Sequence, residues 1–257
     1  MTYLDAFILG LIQGLTEFLP VSSSGHLVLT QSLLGVKQPG VSFEVVVHLG
    51  TLGAVLVYFR REISGLASSL WTKSKTEQRR MILLLIVGTI PAGLIGLTLK
   101  DFFASVFGEP ALAAGMLFVT GGILLATRFA RQGTGKVTMG SAILMGLGQA
   151  MAIMPGISRS GSTIAVGMLA GVEPKRAAEF SFLLAIPAIG GAAILDIDNL
   201  LSISGSITGQ YLVGALTAFV VALLAVYLVL ESIRRGKFEY FAYYCFAAGG
   251  LGLYLFL

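Results

Sequence analysis

Two short segments of the sequence combine residue types that handle phosphate groups, and the first lies near the amino terminus. It contains Gln13 and Glu17, which are four residues apart and would share one face of a helix. Serines at 22–24 and His26 follow, and hydroxyls together with free backbone N–H groups at a helix start attract anions. Glu17 is available for a divalent cation that bridges phosphate oxygens. This segment therefore predicts part of a site for a phosphorylated substrate.

The second segment, 155–163, adds a fixed positive charge. Its sequence is PGISRSGST, so Arg159 stands among hydroxyl residues at a second expected helix start. A guanidinium presents a planar fork of donors that matches phosphate oxygens. The residues that we expect to bind phosphate are Arg159, Ser158, Ser160, Thr163, Ser22 and Ser24.

The chain that must position these residues is too apolar for a soluble enzyme. Of its 257 residues, 56% are hydrophobic and only 12% are charged, about half of the charged share in soluble domains. The mean hydropathy is +0.89. A single cysteine, Cys245, excludes a disulfide scaffold, and the distribution of basic residues between apolar runs argues against nucleic-acid binding. The composition indicates an integral membrane protein with several spans.

Six stretches are long and apolar enough to cross a bilayer, which takes about 20 residues. They are 41–59, 81–99, 111–128, 180–196, 210–230 and 239–257. Two further apolar stretches, about 3–35 and 139–172, are interrupted by the two segments described above. Because proline removes a helical N–H and Gly and Ser favour turns, each stretch should be two half-helices around a loop.

The two interrupted stretches resemble each other. A shift of 136 residues places Gln13 on Gln149 and aligns five other identical residues, and three spans follow each stretch. We predict an all-α polytopic membrane protein with six transmembrane helices plus two re-entrant helical hairpins, in one membrane domain over 1–257. The first repeat covers 1–130 and the second 137–257. Three spans per repeat is an odd number, so the repeats have inverted topology.

Basic residues indicate the orientation, because cytoplasmic loops collect Lys and Arg. Fourteen of the 17 Lys and Arg lie in 60–80, 127–138, 173–179 and 231–238, which alternating spans place on one side. The second hairpin then enters from the cytoplasm and the first from outside. The site should therefore open to the extracytoplasmic side.

Glu44 and His48 form another pair four residues apart, at the start of a predicted span. Ionisable groups within a membrane are costly and usually functional. A mutually satisfied intramembrane pair and a supporting role around the site are both open.

The first segment, QGLTEFLPVSSSGH at 13–26, resembles the first signature of the bacterial undecaprenyl-pyrophosphate phosphatase family, the bacitracin-resistance type. The run at 155–163 is similar to that family's second motif, and the resemblance covers essentially the whole chain. It implies hydrolysis of undecaprenyl (polyprenyl) diphosphate to the monophosphate and inorganic phosphate in the bacterial plasma (inner) membrane, which recycles the lipid carrier for cell-wall synthesis. It also implies a divalent metal cation, Mg²⁺ or Ca²⁺. Position 13 is Gln rather than Glu, so a two-carboxylate metal site does not follow.

The resemblance implies that Ser23, His26, Glu17 and Arg159 are catalytic and that Glu17, with Gln13, holds the metal. Attack by Ser23 with His26 as base and direct attack by His26 are both open. The expected partners are the polyprenyl diphosphate and membrane lipid, without nucleic acid, and a homo-oligomer is open. The alternative function is a polyprenyl-phosphate transporter or flippase with an anion-binding site, because inverted repeats with crossing half-helices are a transporter pattern.

Overall fold

The computed structural model describes residues 1–36, 42–72, 76–106, 108–130, 133–201, 205 and 207–257. Over these ranges the chain is helical, with two 3₁₀ turns and one isolated bridge between Gly135 and Val172, which confirms the all-α class. The helices are α1 (Tyr3–Thr16), α2 (Ser23–Leu34), α3 (Ser42–Tyr58), α4 (Arg60–Ser69), α5 (Thr76–Thr98), α6 (Lys100–Val106), α7 (Pro110–Ala126), α8 (Met139–Met151), α9 (Arg159–Leu169), α10 (Pro174–Leu195), α11 (Ile197–Leu201), α12 (Thr208–Arg234) and α13 (Phe241–Phe256). Three of the fourteen basic residues counted for the orientation, Lys73, Lys75 and Arg131, lie outside the described residues, and so does Lys37.

Several helices are long and apolar enough to cross a membrane. They are α5, α7 with the turn that follows it (Pro110–Phe129), α10 and α12. Helices α3 and α4 make a fifth if they are counted as one span, although the chain bends by 78° between them. The multi-pass membrane character predicted from composition is confirmed. Helices α3 and α13 match the two other predicted spans and are shorter, at 17 and 16 residues.

Both predicted interruptions end helices. Pro20 lies between α1 and α2, and Pro155 lies between α8 and α9. Helices α1 and α8 contain 14 and 13 residues. At 1.5 Å per residue each is about 20 Å long, which is too short for a hydrocarbon layer of about 30 Å.

Each short hairpin packs against a long helix through glycine. Gly10 of α1 lies so close to α12 that a Cβ there would collide with the carbonyl oxygen of Gly214. Gly146 of α8 approaches the carbonyl of Gly88 in α5 in the same way. Small residues allow helix backbones in membranes to approach this closely. The glycines thus fix the hairpins against α12 and α5.

The loops between the half-helices lie in the protein core. Phe18, in the first loop, is fully buried and packs edge-on against Phe182 of α10, with ring centroids 5.4 Å apart. Val21 belongs to the same buried cluster, and Ile157 in the second loop is buried as well. Irregular backbone at membrane depth is tolerated where protein buries it, so this packing is what permits the two loops to exist.

Candidate active site

The first turn of α2 packs directly against the loop between α8 and α9. A Cβ on Gly25 would lie 2.9 Å from the Cα of Gly156, a distance that real side chains do not show. Gly156 has φ of 93°, a backbone conformation that favours glycine, and a side chain there would also collide with the carbonyl of Ala113. These two glycines let both helix starts converge on one region.

A serine caps each of the two converging helices. The Ser22 hydroxyl accepts a hydrogen bond from the N–H of Gly25 at 3.3 Å, and the Ser158 hydroxyl accepts from Gly161 at 3.0 Å. Ser22 has φ of 70°, which is rare for a residue with a side chain and costs about 1–3 kcal/mol. Such backbone strain persists where the surrounding structure enforces it, and it is frequent at functional sites.

Glu17 is the centre of a buried polar cluster that joins the loops. Its Oε1 accepts a hydrogen bond from Arg159 Nη2 at 2.6 Å. Its Oε2 accepts from Ser23 Oγ at 2.6 Å and from Gln13 Nε2 at 3.0 Å. The side chains of Glu17 and Arg159 are only 5% and 15% exposed. The structure therefore brings together four residues that the sequence singled out from two segments.

Arg159 is held at two points. Besides Glu17, it donates from Nη1 to the backbone carbonyl of Ser181 in α10, at 3.3 Å. The guanidinium fork is thus fixed between a carboxylate and a carbonyl, and an incoming phosphate would find it already oriented. Ser181 carried no signal in the sequence, because its contribution is a backbone carbonyl.

His26 lies at the same helix start but faces another way. Its Nδ1 contacts the carbonyl of Ser22 and its Nε2 contacts the hydroxyl of Tyr244, both at 2.8 Å. A carbonyl only accepts, so Nδ1 carries the proton and neutral Nε2 accepts from Tyr244. Within the described residues neither ring nitrogen is hydrogen-bonded to Ser23. Tyr244 was missed, because it is one aromatic residue among several in an apolar run.

The other hydroxyls predicted to bind phosphate hold the loops in place. Ser24 contacts the hydroxyl of Ser22 at 3.3 Å, and Ser160 donates to the carbonyl of Leu19 in the opposite loop at 3.2 Å. Thr163 donates to the carbonyl of Arg159 at 2.8 Å. Their contact with phosphate stays a prediction.

Thr120 of α7 is a second residue that the sequence did not indicate. Its hydroxyl donates to the carbonyl of Gly156 at 2.7 Å and accepts from the N–H of Ser158 at 3.0 Å. It thereby satisfies two backbone groups of a buried turn. A single threonine within an apolar span gives no sequence signal for such a role.

His48 of α3 faces the cluster from a third direction. Its Nε2 lies 3.5 Å from Glu17 Oε2, and its Nδ1 contacts the backbone carbonyl of Glu44 at 2.6 Å. Of the two alternatives that the sequence left open, this geometry favours a supporting role around the site.

The donor atoms around Glu17 fit a divalent cation whose remaining ligands are water and substrate phosphate. Glu17 supplies a carboxylate, and Oε1 of Gln13 is a buried oxygen without a hydrogen-bond partner in the described part of the chain. The same part contains no group of three His, Cys, Asp or Glu that could cage a metal. Mg²⁺ is commonly held by one or two carboxylates together with substrate phosphates and water. The residues therefore suit a cation that binds with the substrate.

Comparisons with known proteins give one consistent result. The family model described as bacitracin resistance protein BacA matches residues 6–251. A protein of Syntrophotalea carbinolica named undecaprenyl-diphosphatase is 45% identical over 260 residues, which cover 98% of each chain. Proteins of the same name from Desulforapulum autotrophicum and Desulfosudis oleivorans are each 41% identical. They cover 97% and 99% of this chain and 96% and 99% of their own.

Proposed function

The chain belongs to the bacitracin resistance protein BacA family, and on that premise we propose how it hydrolyses undecaprenyl diphosphate at the cluster around Glu17. It is an enzyme, an undecaprenyl-diphosphatase, whose product is the monophosphate of the lipid carrier. The observation that carries the proposal is the buried contact chain Ser23–Glu17–Arg159, which joins a nucleophile, a carboxylate and a cation from both loops.

Arg159 and the two helix starts bind the diphosphate. The substrate's oxygens compete with Glu17 for the guanidinium, and the N–H groups at the starts of α2 and α9 add dipoles of the right sign. Phosphoryl transfer passes through a state with charge spread over the phosphoryl oxygens, so positioning and charge neutralisation supply most of the rate. Arg159 is suited to both tasks because its fork is already fixed at two points.

Ser23 is the nucleophile in this proposal. Its hydroxyl already donates to Glu17 Oε2, so the carboxylate can take the proton while Oγ attacks the terminal phosphorus. The bond from that phosphorus to the bridging oxygen breaks, and undecaprenyl phosphate leaves. Water then attacks the phosphoserine, inorganic phosphate departs and Ser23 regains its proton. His26 can act as base or nucleophile only after its contact with Tyr244 opens.

Glu17 and Gln13 would hold the divalent cation. When bound, Mg²⁺ or Ca²⁺ neutralises negative charge on the diphosphate oxygens. Buried Oε1 of Gln13 has no hydrogen-bond partner among the described residues, which supports this assignment, since a buried polar atom without a partner costs free energy that a ligand would recover.

We also propose the membrane topology: six spans and two re-entrant hairpins, arranged as inverted repeats. Helix α1 begins beside the start of α12, where Tyr3 lies against Gly209. Helix α7 ends at Ala126 and α8 begins at Met139; between them Arg128 pairs with Glu239, which lies between the end of α12 and the start of α13. The start of α1 and the segment between α7 and α8 therefore lie at opposite ends of α12. This supports entry from opposite faces of the membrane, with the first hairpin and its mouth on the extracytoplasmic side.

Cysteine labelling of intact cells tests this orientation in the bacterial inner membrane. In a Cys245→Ser background, Leu33→Cys near the end of α2 is expected to react with a membrane-impermeant maleimide. Trp71→Cys, after α4, is expected to react only after permeabilisation. Leu33 and Trp71 are 61% and 81% exposed, so neither side chain is covered by the protein itself. Labelling of Trp71→Cys and not Leu33→Cys in intact cells would reverse the orientation.

A phosphate-release assay tests the activity itself. Purified protein in detergent is expected to release inorganic phosphate from the C55 prenyl diphosphate, to stop when a chelator is added, and to resume with excess Mg²⁺. The chelator acts because one carboxylate and an amide cannot replace the cation's charge. Movement of prenyl phosphate across liposomes without any phosphate release would instead support the transporter alternative.

A further inference from the structure

A backbone carbonyl in α3 determines which ring nitrogen of His48 carries the proton. Its Nδ1 lies 2.6 Å from the carbonyl oxygen of Glu44, one turn earlier in α3. Because a carbonyl oxygen only accepts, Nδ1 must carry a hydrogen. The lone pair of the neutral ring is then on Nε2. Metal-binding histidines are oriented in this same way, by donating the other ring N–H to a carbonyl or carboxylate.

The lone pair of His48 points at an acceptor. Nε2 is 3.5 Å from Glu17 Oε2; in the neutral ring neither atom has a hydrogen to donate to the other, whereas a protonated ring would make the contact an ion pair. Nitrogen and oxygen ligands bind cations at about 2.0–2.6 Å, so two ligand atoms 3.5 Å apart can reach the same ion. The contact thus has the geometry of two neighbouring ligands of one cation.

Gln13 completes the set from a third side. Its amide Nε2 donates to the same oxygen, Glu17 Oε2, at 3.0 Å, while its Oε1 is buried and has no partner within the part of the chain that the structure describes. The two amide atoms are interchangeable by rotation, which would turn the oxygen toward Glu17. On the other side of the carboxylate Arg159 donates to Oε1, so the contacts of His48 and Gln13 meet at Oε2, the oxygen to which Ser23 also donates.

We infer that His48 is a third protein ligand of the divalent cation, beside Glu17 and Gln13, and that it shifts the site's preference toward Mn²⁺. The inference rests on the proposed function, which supplies the cation. Carboxylate and amide oxygens suit Mg²⁺, Ca²⁺ and Mn²⁺, and a neutral imidazole adds affinity for a transition metal such as Mn²⁺ over the other two. The His48 side chain is 27% exposed, so the site can be reached by an ion and by phosphate.

Mn²⁺ binding to the full-length protein in detergent tests the inference without substrate. Pulsed electron paramagnetic resonance detects a nitrogen nucleus bonded to Mn²⁺, and the chain contains only two histidines, His26 and His48. We expect the histidine-nitrogen signal in the wild type and in His26→Gln, and its loss in His48→Gln. The affinity for Mn²⁺ should fall about tenfold or more in His48→Gln, with a smaller loss for Ca²⁺.

The controls separate this inference from the proposed function. Glu17→Gln should lose Mn²⁺ binding altogether. Three results would each overturn the inference: a histidine-nitrogen signal that survives in His48→Gln, an unchanged Mn²⁺ affinity in that variant, or no bound Mn²⁺ in the wild type. An unchanged affinity would identify His48 as an ion-pair partner of Glu17. Phosphate release by the wild type is measured in parallel. Release without the nitrogen signal rejects only the ligand role, whereas nitrogen-ligated Mn²⁺ without release rejects only the hydrolase mechanism.

Discussion

Replacing Arg159 by Ala is expected to lower the rate of phosphate release from undecaprenyl diphosphate by a factor of about 10³ or more. The change removes the guanidinium that shares Glu17 with Ser23, and with it the positive charge that we propose faces the phosphoryl oxygens. It also leaves Glu17 buried without its cationic partner, which costs stability of about 3–5 kcal/mol. Initial rates at several substrate concentrations and thermal unfolding in detergent measure the two effects separately.

Arg159→Lys should fail as well, by a factor of about 10² or more, although it keeps the charge. A lysine is a point charge and cannot contact Glu17 and the Ser181 carbonyl at once in the way that Nη2 and Nη1 do. Arg176→Ala is the matched control, because that arginine pairs with Glu173 at the surface and should leave the rate unchanged. A folded Arg159→Ala protein with a rate within tenfold of the wild type would contradict the assignment.

The double variant Arg159→Ala with Glu17→Gln separates folding from chemistry. Neutralising the carboxylate removes the unpaired buried charge, so thermal stability should partly recover. The rate should not recover, because neither the phosphate-binding fork nor the carboxylate beside Ser23 is restored. Recovery of hydrolysis in the double variant would mean that the arginine serves only as the partner of Glu17.

The helices and their breaks were predictable because they depend on local sequence. Pro20 and Pro155 interrupt apolar runs, and in the structure one helix ends before each proline and the next begins after it. Which atoms meet between the loops was not predictable, because Glu17 and Arg159 are 142 residues apart in sequence. Their pairing depends on the packing of α1 and α8 against long helices, and nothing in either motif specifies that packing.

The two histidines show the limit of spacing as evidence. His26 follows the serines closely, yet its ring stacks on Tyr244 with 5.6 Å between centroids. His48 is four residues from Glu44, yet it uses that residue's backbone carbonyl and turns its other nitrogen to Glu17. Spacing places residues on one helix face or in one loop, whereas the side-chain rotamer is chosen by neighbours from distant parts of the chain.

Ser23→Ala is expected to reduce phosphate release about 10⁴-fold or more, because the variant has no hydroxyl to attack phosphorus. The protein should remain folded, since Glu17 Oε2 keeps its contact with Gln13 and Oε1 keeps Arg159. Ser64→Ala is the control: this exposed hydroxyl donates to a backbone carbonyl in α4 and should not affect the rate.

Trapping the covalent intermediate decides between the two nucleophiles that the sequence left open. Wild-type protein quenched in acid during turnover of terminally labelled diphosphate should retain label, because phosphoserine survives acid and phosphohistidine does not. The label should be absent from Ser23→Ala and present in Tyr244→Phe, which only frees His26 from its hydroxyl partner. Label that is stable in base but lost in acid, and that persists in Ser23→Ala, would identify His26 as the nucleophile and leave Ser23 as a hydrogen-bond donor to Glu17.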